Sequence, residues 1–407
     1  MQQQSIRLRP ELTLADVLTP GVAFNIRPSW QGHDWLNSDP AYRDSITGAA
    51  LTVAGGVPMV CSRSTVSPLA LNLLEEAGLP CTADILEYND AAEYDACLDG
   101  AARRPHQVAF QYAQAPRERP ADLYWVPRDV LEFLNNKANL PLLVPSEHVA
   151  RRQLLAPDQL KTLESRLADE PLALKAISKK PCGGGTAVVL ARAPADLEVA
   201  FQKFQGCEQV IVEEFLEIKE NFCLNYATVG DRIEFLGAGL QVTDKAGTYR
   251  GSWLDPNVFL PPEAVELGRF VMQQAQQRGY KGIAGFDMVL DSHERITVID
   301  LNFRYNGSTT ALLLRSAIDE RFGPGKICRL LRWYIPNALA NGERIIRRAI
   351  GEGYLLPTSF FDAQLSYHPT DNSKMTCLLL GDSREEICGR QQQIEKQGFL
   401  QHLNTPA

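Results

Sequence analysis

Two spacings of apolar residues run through this chain and predict its elements. Val57-Pro58-Met59-Val60-Cys61 is a short apolar run, followed by polar Ser62-Arg63-Ser64-Thr65. Leucines at 69, 71, 73 and 74 then recur at helical spacing until Gly78-Leu79-Pro80 stops them. Strand, polar loop and helix in that order predict an open parallel sheet over residues 1 to about 125, with Arg63 where such a loop would meet a ligand. DVLEFLNNKANL, containing Lys137, reads as helix, and ARRQLLAPDQLKTLESRLADEP continues in the same style. Leu172 to Ile177 is strand-like with Lys175 inside it, SKKPCGGGT is a tip, and AVVLA returns as the second strand of a hairpin. PADLEVAFQKF predicts a helix, Val210-Ile211-Val212 and NFCLNY predict strands, and FLGAGLQVTDKAGTYRGSWL reads as strand, loop and strand. PPEAVELGRFVMQQAQQRGY is an amphipathic helix opened by proline and closed by Gly279.

That helix leads into GIAGFDMVLDSHERITVIDLNFRYNGSTT, from Gly282 to Thr310, which reads as two strands around a tight turn at Ser292 to Arg295. If Asp291 pairs with Ile296, Asp287 falls directly opposite Asp300, and strand periodicity puts Asn302 on the same face as Asp300. Opposed carboxylates repel and weaken a hairpin unless a cation sits between them. Oxygen-only, carboxylate-rich sites suit Mg²⁺, usually together with phosphate oxygens. Solvated surface acids are the alternative reading; the buried-looking flanks and the third polar residue favour a metal site for a phosphate ligand. From about Lys326, GEGYLLPTSFFDAQ and KMTCLLLGD predict strands, and SREEICGRQQQIEKQGF predicts a helix with Ser383 as its N-cap.

Composition narrows the classes of function. The chain has 407 residues, too many for one compact core, so two or three domains are expected. A net charge of −8 without any Lys/Arg run argues against a nucleic-acid partner. No apolar stretch approaches the roughly 20 residues that span a bilayer, and the N-terminus lacks a signal-peptide layout, so no membrane association is expected. Nine cysteines without a C-x-x-C pair read as reduced thiols of a cytoplasmic protein, mostly buried.

Other candidate residues cluster around the same chemistry. Gly183, Gly184, Gly185 and Thr186 form a tip whose backbone N–H groups could close over an anion, and a lysine inside an apolar strand, as Lys175 is, seldom serves packing. No G-K-[ST] follows, so this is not a Walker loop. Glu213, Glu214, Phe215 and Leu216 follow an apolar run, and Glu220 precedes the next strand, where an adenine ring and its ribose could be held. Lys245 and Arg250 are cations within the FLGAGLQVTDKAGTYRGSWL segment, and Arg304 is a cation just past the predicted metal ligands.

In their order and spacing these parts resemble the ATP-grasp superfamily. A lysine near the start of the nucleotide domain (Lys137), a lysine-bearing strand before a Gly-rich hairpin, an acidic hinge, a basic residue, and an Asp followed by an acid-x-Asn pair all occur in sequence, and Asn302-Phe303-Arg304 extends the match. Asp300 stands where the family usually has Glu. The resemblance covers roughly residues 126 to 325, and more loosely the domain before them.

The resemblance implies an α/β (α+β) ATP-grasp fold with a preceding open α/β domain at 1–125. The nucleotide-binding domain would span 126–325, its Gly-rich lid about 140–206, and a small C-terminal α/β unit 326–407. It implies an ATP-dependent ligase that joins a small-molecule carboxylate, an amino acid or peptide, to an amine through an acyl-phosphate. Its implied nucleotide ligands are Lys137, Lys175, the glycine tip, the 213–216 hinge and Glu220. It further implies two Mg²⁺ at Asp287, Asp300 and Asn302, with Mn²⁺ able to substitute, and Arg250, Arg304 and Lys245 at the reacting groups. A small-molecule kinase and a non-catalytic ATP sensor share the same nucleotide site. Dimers are common among such proteins, and a homodimer is an expectation of that kind.

Overall fold

Three sheets follow one another along the chain in the computed structural model, which describes residues 7–30, 40–102, 107–114, 119–177, 187–245 and 247–401. The first is parallel, built from β1 (Ala23–Asn25), β2 (Pro58–Ser62), β3 (Asp84–Tyr88) and β4 (Val108–Phe110) in the order β3-β2-β1-β4. β2 and the helix Pro68–Glu76 are the strand and helix expected there, with the Ser67 side chain capping the helix at Ala70 N. Arg63 is ion-paired with Glu87 of β3 (2.7 Å) and with Glu93 of the helix that follows it, Ala91–Ala102 (3.7 Å).

The second sheet is antiparallel: β5 (Arg152–Leu155), β6 (Leu172–Ala176), β7 (Val188–Ala191) and β8 (Val210–Glu214), in the order β5-β8-β6-β7. β5 corrects the helical reading of ARRQLLAP. Arg152 to Leu155 pair with the edge of β8, and tertiary pairing overrides local propensity in so short a segment. This sheet packs its own apolar cluster, including Leu160, Leu174, Phe204 and Val212. The glycine tip Gly183-Gly184-Gly185-Thr186 lies outside the described residues.

The third sheet has eight strands: β9 (Ile218–Val229), β10 (Arg232–Thr243), β11 (Tyr249–Leu254), β12 (Ile283–Asp291), β13 (Ile296–Asn302), β14 (Ile327–Pro336), β15 (Leu355–Phe361) and β16 (Asn372–Gly381). Their order is β13-β12-β9-β10-β11-β14-β16-β15, so the three C-terminal strands continue the sheet through β14 on β11. β14 and the helix Gly342–Gly351 were not anticipated; Arg329 and Arg332 interrupt the apolar run of β14 and mask its period. The helix Pro262–Gln276 covers one face of the third sheet, burying Leu267, Val271 and Met272. Below it Phe286 meets Tyr226 (5.6 Å between ring centroids) and Phe303 (5.3 Å). The same apolar core runs on into the first sheet, where the Phe24 and Tyr305 rings meet edge to face at 5.7 Å.

Among the described residues no helix is long and apolar enough to cross a membrane. The eight cysteines described are all free, and four of them are buried.

Candidate active site

The β12–β13 hairpin sets Asp287 opposite Asp300, by a route the sequence did not suggest. Near the turn Leu290, not Asp291, pairs with Ile296, one residue out of the expected register. Asp291 instead folds over the turn, its Oδ1 accepting from His293 N and Arg295 N at 2.9 Å. A bulge at Ile299 then restores the register, so that Asp287 faces Asp300 and Gly285 faces Asn302. The Ile299 carbonyl accepts a hydrogen bond from Lys175 Nζ at 2.8 Å.

Neighbouring strands complete the polar face. Gln241 of β10 donates to Asp287 Oδ1 (2.8 Å), and Asn302 Nδ2 lies 3.5 Å from Asp287 Oδ2. Burial, then the like charge of Asp300, raises the Asp287 carboxyl to about 7. Burial also works against ionisation of Asp300, but the ion-paired Lys137 ammonium, helped by Lys175 and Arg304, holds that carboxyl below the usual range. The cleft remains partly open, with 25% of the Asp300 side chain exposed. A like-charge pair of oxygen ligands with an amide beside it fits a hard divalent cation. Among the described residues no group of three or more His, Cys, Asp or Glu could hold a metal, so such a cation would draw its remaining ligands from water and phosphate.

Behind Lys175 lies a buried ion network. Glu213 bonds Lys175 Nζ at 2.5 Å and is also paired with Arg152, whose Nη1 donates to the Lys137 carbonyl at 3.2 Å. Burial opposes ionisation of Glu213, but the two cations prevail and its carboxyl is lowered. Glu214 is likewise engaged, with Arg151 (2.8 Å) and Arg295 (3.4 Å). Both hinge carboxylates are therefore engaged by cations of the protein itself. The Arg192 guanidinium lies 5.0 Å from the centroid of the Phe215 ring, and Glu220 stands partly exposed on β9.

The loop after β13 is stitched to three elements. Asn135, at the end of the helix Arg128–Leu134, accepts from Phe303 N (3.1 Å) and Arg304 Nη1 (3.3 Å). The Arg304 guanidinium stands 5.2 Å from the centroid of the Tyr112 ring. Gln111, just past β4, accepts from Tyr305 N at 2.6 Å. Asn306 Nδ2 reaches across the sheet to Asn225 Oδ1 (2.8 Å), which also accepts from Thr309 Oγ1 (2.8 Å). A Cβ on Gly285 would lie 1.9 Å from Asn306 Nδ2, so only glycine permits this crossing. Arg250 is held by Asp244 Oδ2 through Nε (2.9 Å) and Nη2 (2.6 Å), and Lys245 is exposed on the adjoining turn.

Lys137, Lys175, Asp287, Asp300, Asn302 and Arg304 thus come together, whereas Lys245 sits on the β10–β11 turn and Arg250 lies at the start of β11. Sequence reasoning missed Gln241, Asn225, Asn135 and Tyr112, and with them Cys223 of β9, which pairs with Asp287 and hydrogen-bonds its carboxylate. Cys223 and Asn225 share a face of β9 at period 2, a signal that carries meaning only once β9 is known to lie beside β12.

Two family models match the chain. One, described as the ATP-grasp domain of L-aspartate–L-methionine ligase, matches residues 150–302, and the other, the N-terminal domain of the same ligase, matches residues 13–132. Among solved structures the fold is similar to an N5-carboxyaminoimidazole ribonucleotide synthetase in complex with ADP, with TM-score 0.61, 14% identity, and coverage of 93% of this chain and 97% of that one. An L-amino acid ligase from Bacillus licheniformis matches with TM-score 0.54 and 14% identity over 93% of this chain and 98% of its own. A phosphoribosylamine–glycine ligase from Thermotoga maritima matches with TM-score 0.53 and 12% identity over 85% and 98%. Ligases of this type use ATP with a divalent metal. The chain belongs to the ATP-grasp superfamily, and it is an ATP-dependent carboxylate–amine ligase, forming C–N bonds.

Proposed function

We propose that the chain condenses L-aspartate, as the carboxylate, with L-methionine, as the amine, through an acyl-phosphate. The observation that carries this is the convergence of two opposed carboxylates, Asp287 and Asp300, with Lys137, Lys175 and Arg304 in one cleft; the matching models' description supplies the two substrates.

The physical difficulty is to bring an anionic carboxylate up to an anionic γ-phosphate. Lys137 and Lys175 neutralise the α- and β-phosphates, Phe215 and Leu216 hold the adenine, and Glu220 takes the ribose hydroxyls. Asp287, Asp300 and Asn302 would hold the two Mg²⁺, for which Mn²⁺ is expected to substitute, and the ions would supply charge neutralisation for the phosphates. Asp300, one methylene shorter than the usual Glu, keeps the charge the site needs. A carboxylate oxygen of aspartate attacks the γ-phosphorus as the bond to the β-phosphate oxygen breaks and ADP leaves. The methionine nitrogen then attacks the acyl carbon, phosphate leaves, and the nitrogen gives up a proton to solvent. Arg304 holds the reacting carboxylate and its tetrahedral intermediate; Arg250 and Lys245 are assigned to the second carboxylate of aspartate. By comparison with single oxyanion donors, Arg304→Ala is expected to lower kcat by about 10²–10³.

The deciding experiment follows phosphate release from ATP with aspartate and methionine, singly and together, and identifies the product by mass. The expected result is ADP, phosphate and an aspartyl-methionine dipeptide only with both amino acids, lost in Asp287→Asn. A phosphorylated acceptor as the stable product, or bound ATP with no turnover across a panel of amino-acid pairs, would overturn it.

A further inference from the structure

The cleft already contains a cation for its carboxylates. Lys137 Nζ is ion-paired with Asp300 Oδ1, and the Lys137 side chain is mostly covered, at 13% exposure. Its backbone does not share the side chain's freedom. Lys137 opens the short helical turn Lys137–Leu142, which Asn136 caps by accepting from Ala138 N at 3.0 Å. Its carbonyl accepts from Arg152 at 3.2 Å, and Arg152 is anchored in turn by Glu213. A fixed backbone bearing a four-carbon stem lets the ammonium swing while the chain stays in place. Lys175 cannot replace it at Asp300, because its Nζ is divided between the Ile299 carbonyl (2.8 Å) and Glu213 (2.5 Å).

A divalent cation arriving alone must therefore displace the ammonium from Asp300 and break a mostly covered ion pair, a costly exchange. A nucleotide removes that cost, because its phosphate oxygens offer the ammonium a new anionic partner within the same cleft. We propose that Lys137 is a built-in counter-ion that couples metal binding to nucleotide binding. It occupies Asp300 until phosphate takes it, so the protein accepts metal with its nucleotide and not ahead of it. The inference rests on the reading of Asp287 and Asp300 as metal ligands and Lys137 as a phosphate ligand. Coupling of this kind is reciprocal between the two ligands.

The test measures two affinities that contain no reaction: Mn²⁺ binding without nucleotide, by electron paramagnetic resonance, and ADP binding without metal, by calorimetry in chelator. Lys137→Met and Lys137→Gln are compared with the parent chain, each checked for folding by near-ultraviolet circular dichroism. Both variants are expected to bind Mn²⁺ about tenfold more tightly and ADP about tenfold more weakly, opposite movements that general damage would not produce. Nucleotide-free Mn²⁺ affinity that is unchanged or weaker in whichever variant folds would overturn the proposal. Adding Asp300→Asn to the Lys137→Met chain separates the underlying assignment: the gained Mn²⁺ affinity should vanish, and its survival would place the metal elsewhere and overturn the reading of Asp300 itself.

Discussion

Asp287 is the residue on which the chemistry and the stability of the cleft pull in opposite directions. Its carboxyl is raised to about 7, first by burial and then by Asp300. Between pH about 4 and about 7 the folded chain therefore holds a proton that the unfolded chain has released, and this group's contribution to stability declines as pH rises through that window. Asp287→Asn cannot titrate there. Urea denaturation in chelator at several pH values should show the parent chain losing stability relative to Asp287→Asn from pH 5 to pH 7.5. A difference between the two that stays flat would mean the carboxyl is not raised. On the proposed reading of Asp287 as a metal ligand, metal binding runs the other way, because a ligating carboxylate must be deprotonated, so Mn²⁺ affinity should rise between pH 6 and pH 8.

At the scale of elements, the hairpin β12–β13 and the loop after it act as one piece. The bulge at Ile299 brings Asp300 back opposite Asp287 and turns a carbonyl toward Lys175, while the absent side chain of Gly285 lets Asn306 reach Asn225. Gly285→Ala puts a methyl 1.9 Å from Asn306 Nδ2, so either the loop or the strand must yield. We expect a loss of about 1–3 kcal/mol in urea denaturation, in the range of overpacked sites, with a raised KM for the carboxylate substrate because Arg304 lies in the same loop. Asn306→Ala in the Gly285→Ala background should recover much of the stability. A stable, fully active Gly285→Ala protein would show that the crossing of Asn306 over β12 is unimportant.

On the scale of the whole molecule, the stretch after residue 326 shares a sheet with the Asp287–Asp300 hairpin. β14 pairs with β11, the strand that carries Arg250, and Cys328, Leu330, Leu356, Leu378 and Leu380 belong to the core that also buries the site's hairpin. A chain ending at residue 325 would expose the edge of β11 together with that apolar surface. It should fail to give a monodisperse, cooperatively unfolding protein in size-exclusion chromatography and thermal melting. A soluble, active truncation would mean that the C-terminal strands are separable. The second sheet differs, since its apolar cluster is its own. Amide exchange is expected to report it as a unit with its own opening free energy, distinct from that of the eight-stranded sheet.

Much of this was legible along the chain, because short-range rules act on neighbouring residues. Apolar spacing located the strands and helices around the hairpin, and the order of lysines, glycines and acids marked the ATP-grasp superfamily and placed Asp287 opposite Asp300. Local rules also misjudged what long-range contacts govern. β5 looked helical because its partner β8 lies some sixty residues away. The hairpin register was one residue out at the turn, since a bulge at Ile299 is a tertiary compromise with no mark in the residue types. Glu213 and Glu214 looked available to a nucleotide until folding gave them Lys175, Arg152, Arg151 and Arg295. Gln241, Asn225 and Asn135 belong to the site only because strand order and a helix end bring them there. Sequence by itself determined which charges and which periodicities exist; tertiary structure decided which charges neutralise one another, because electrostatic energy depends on distance and burial, and only the fold sets those.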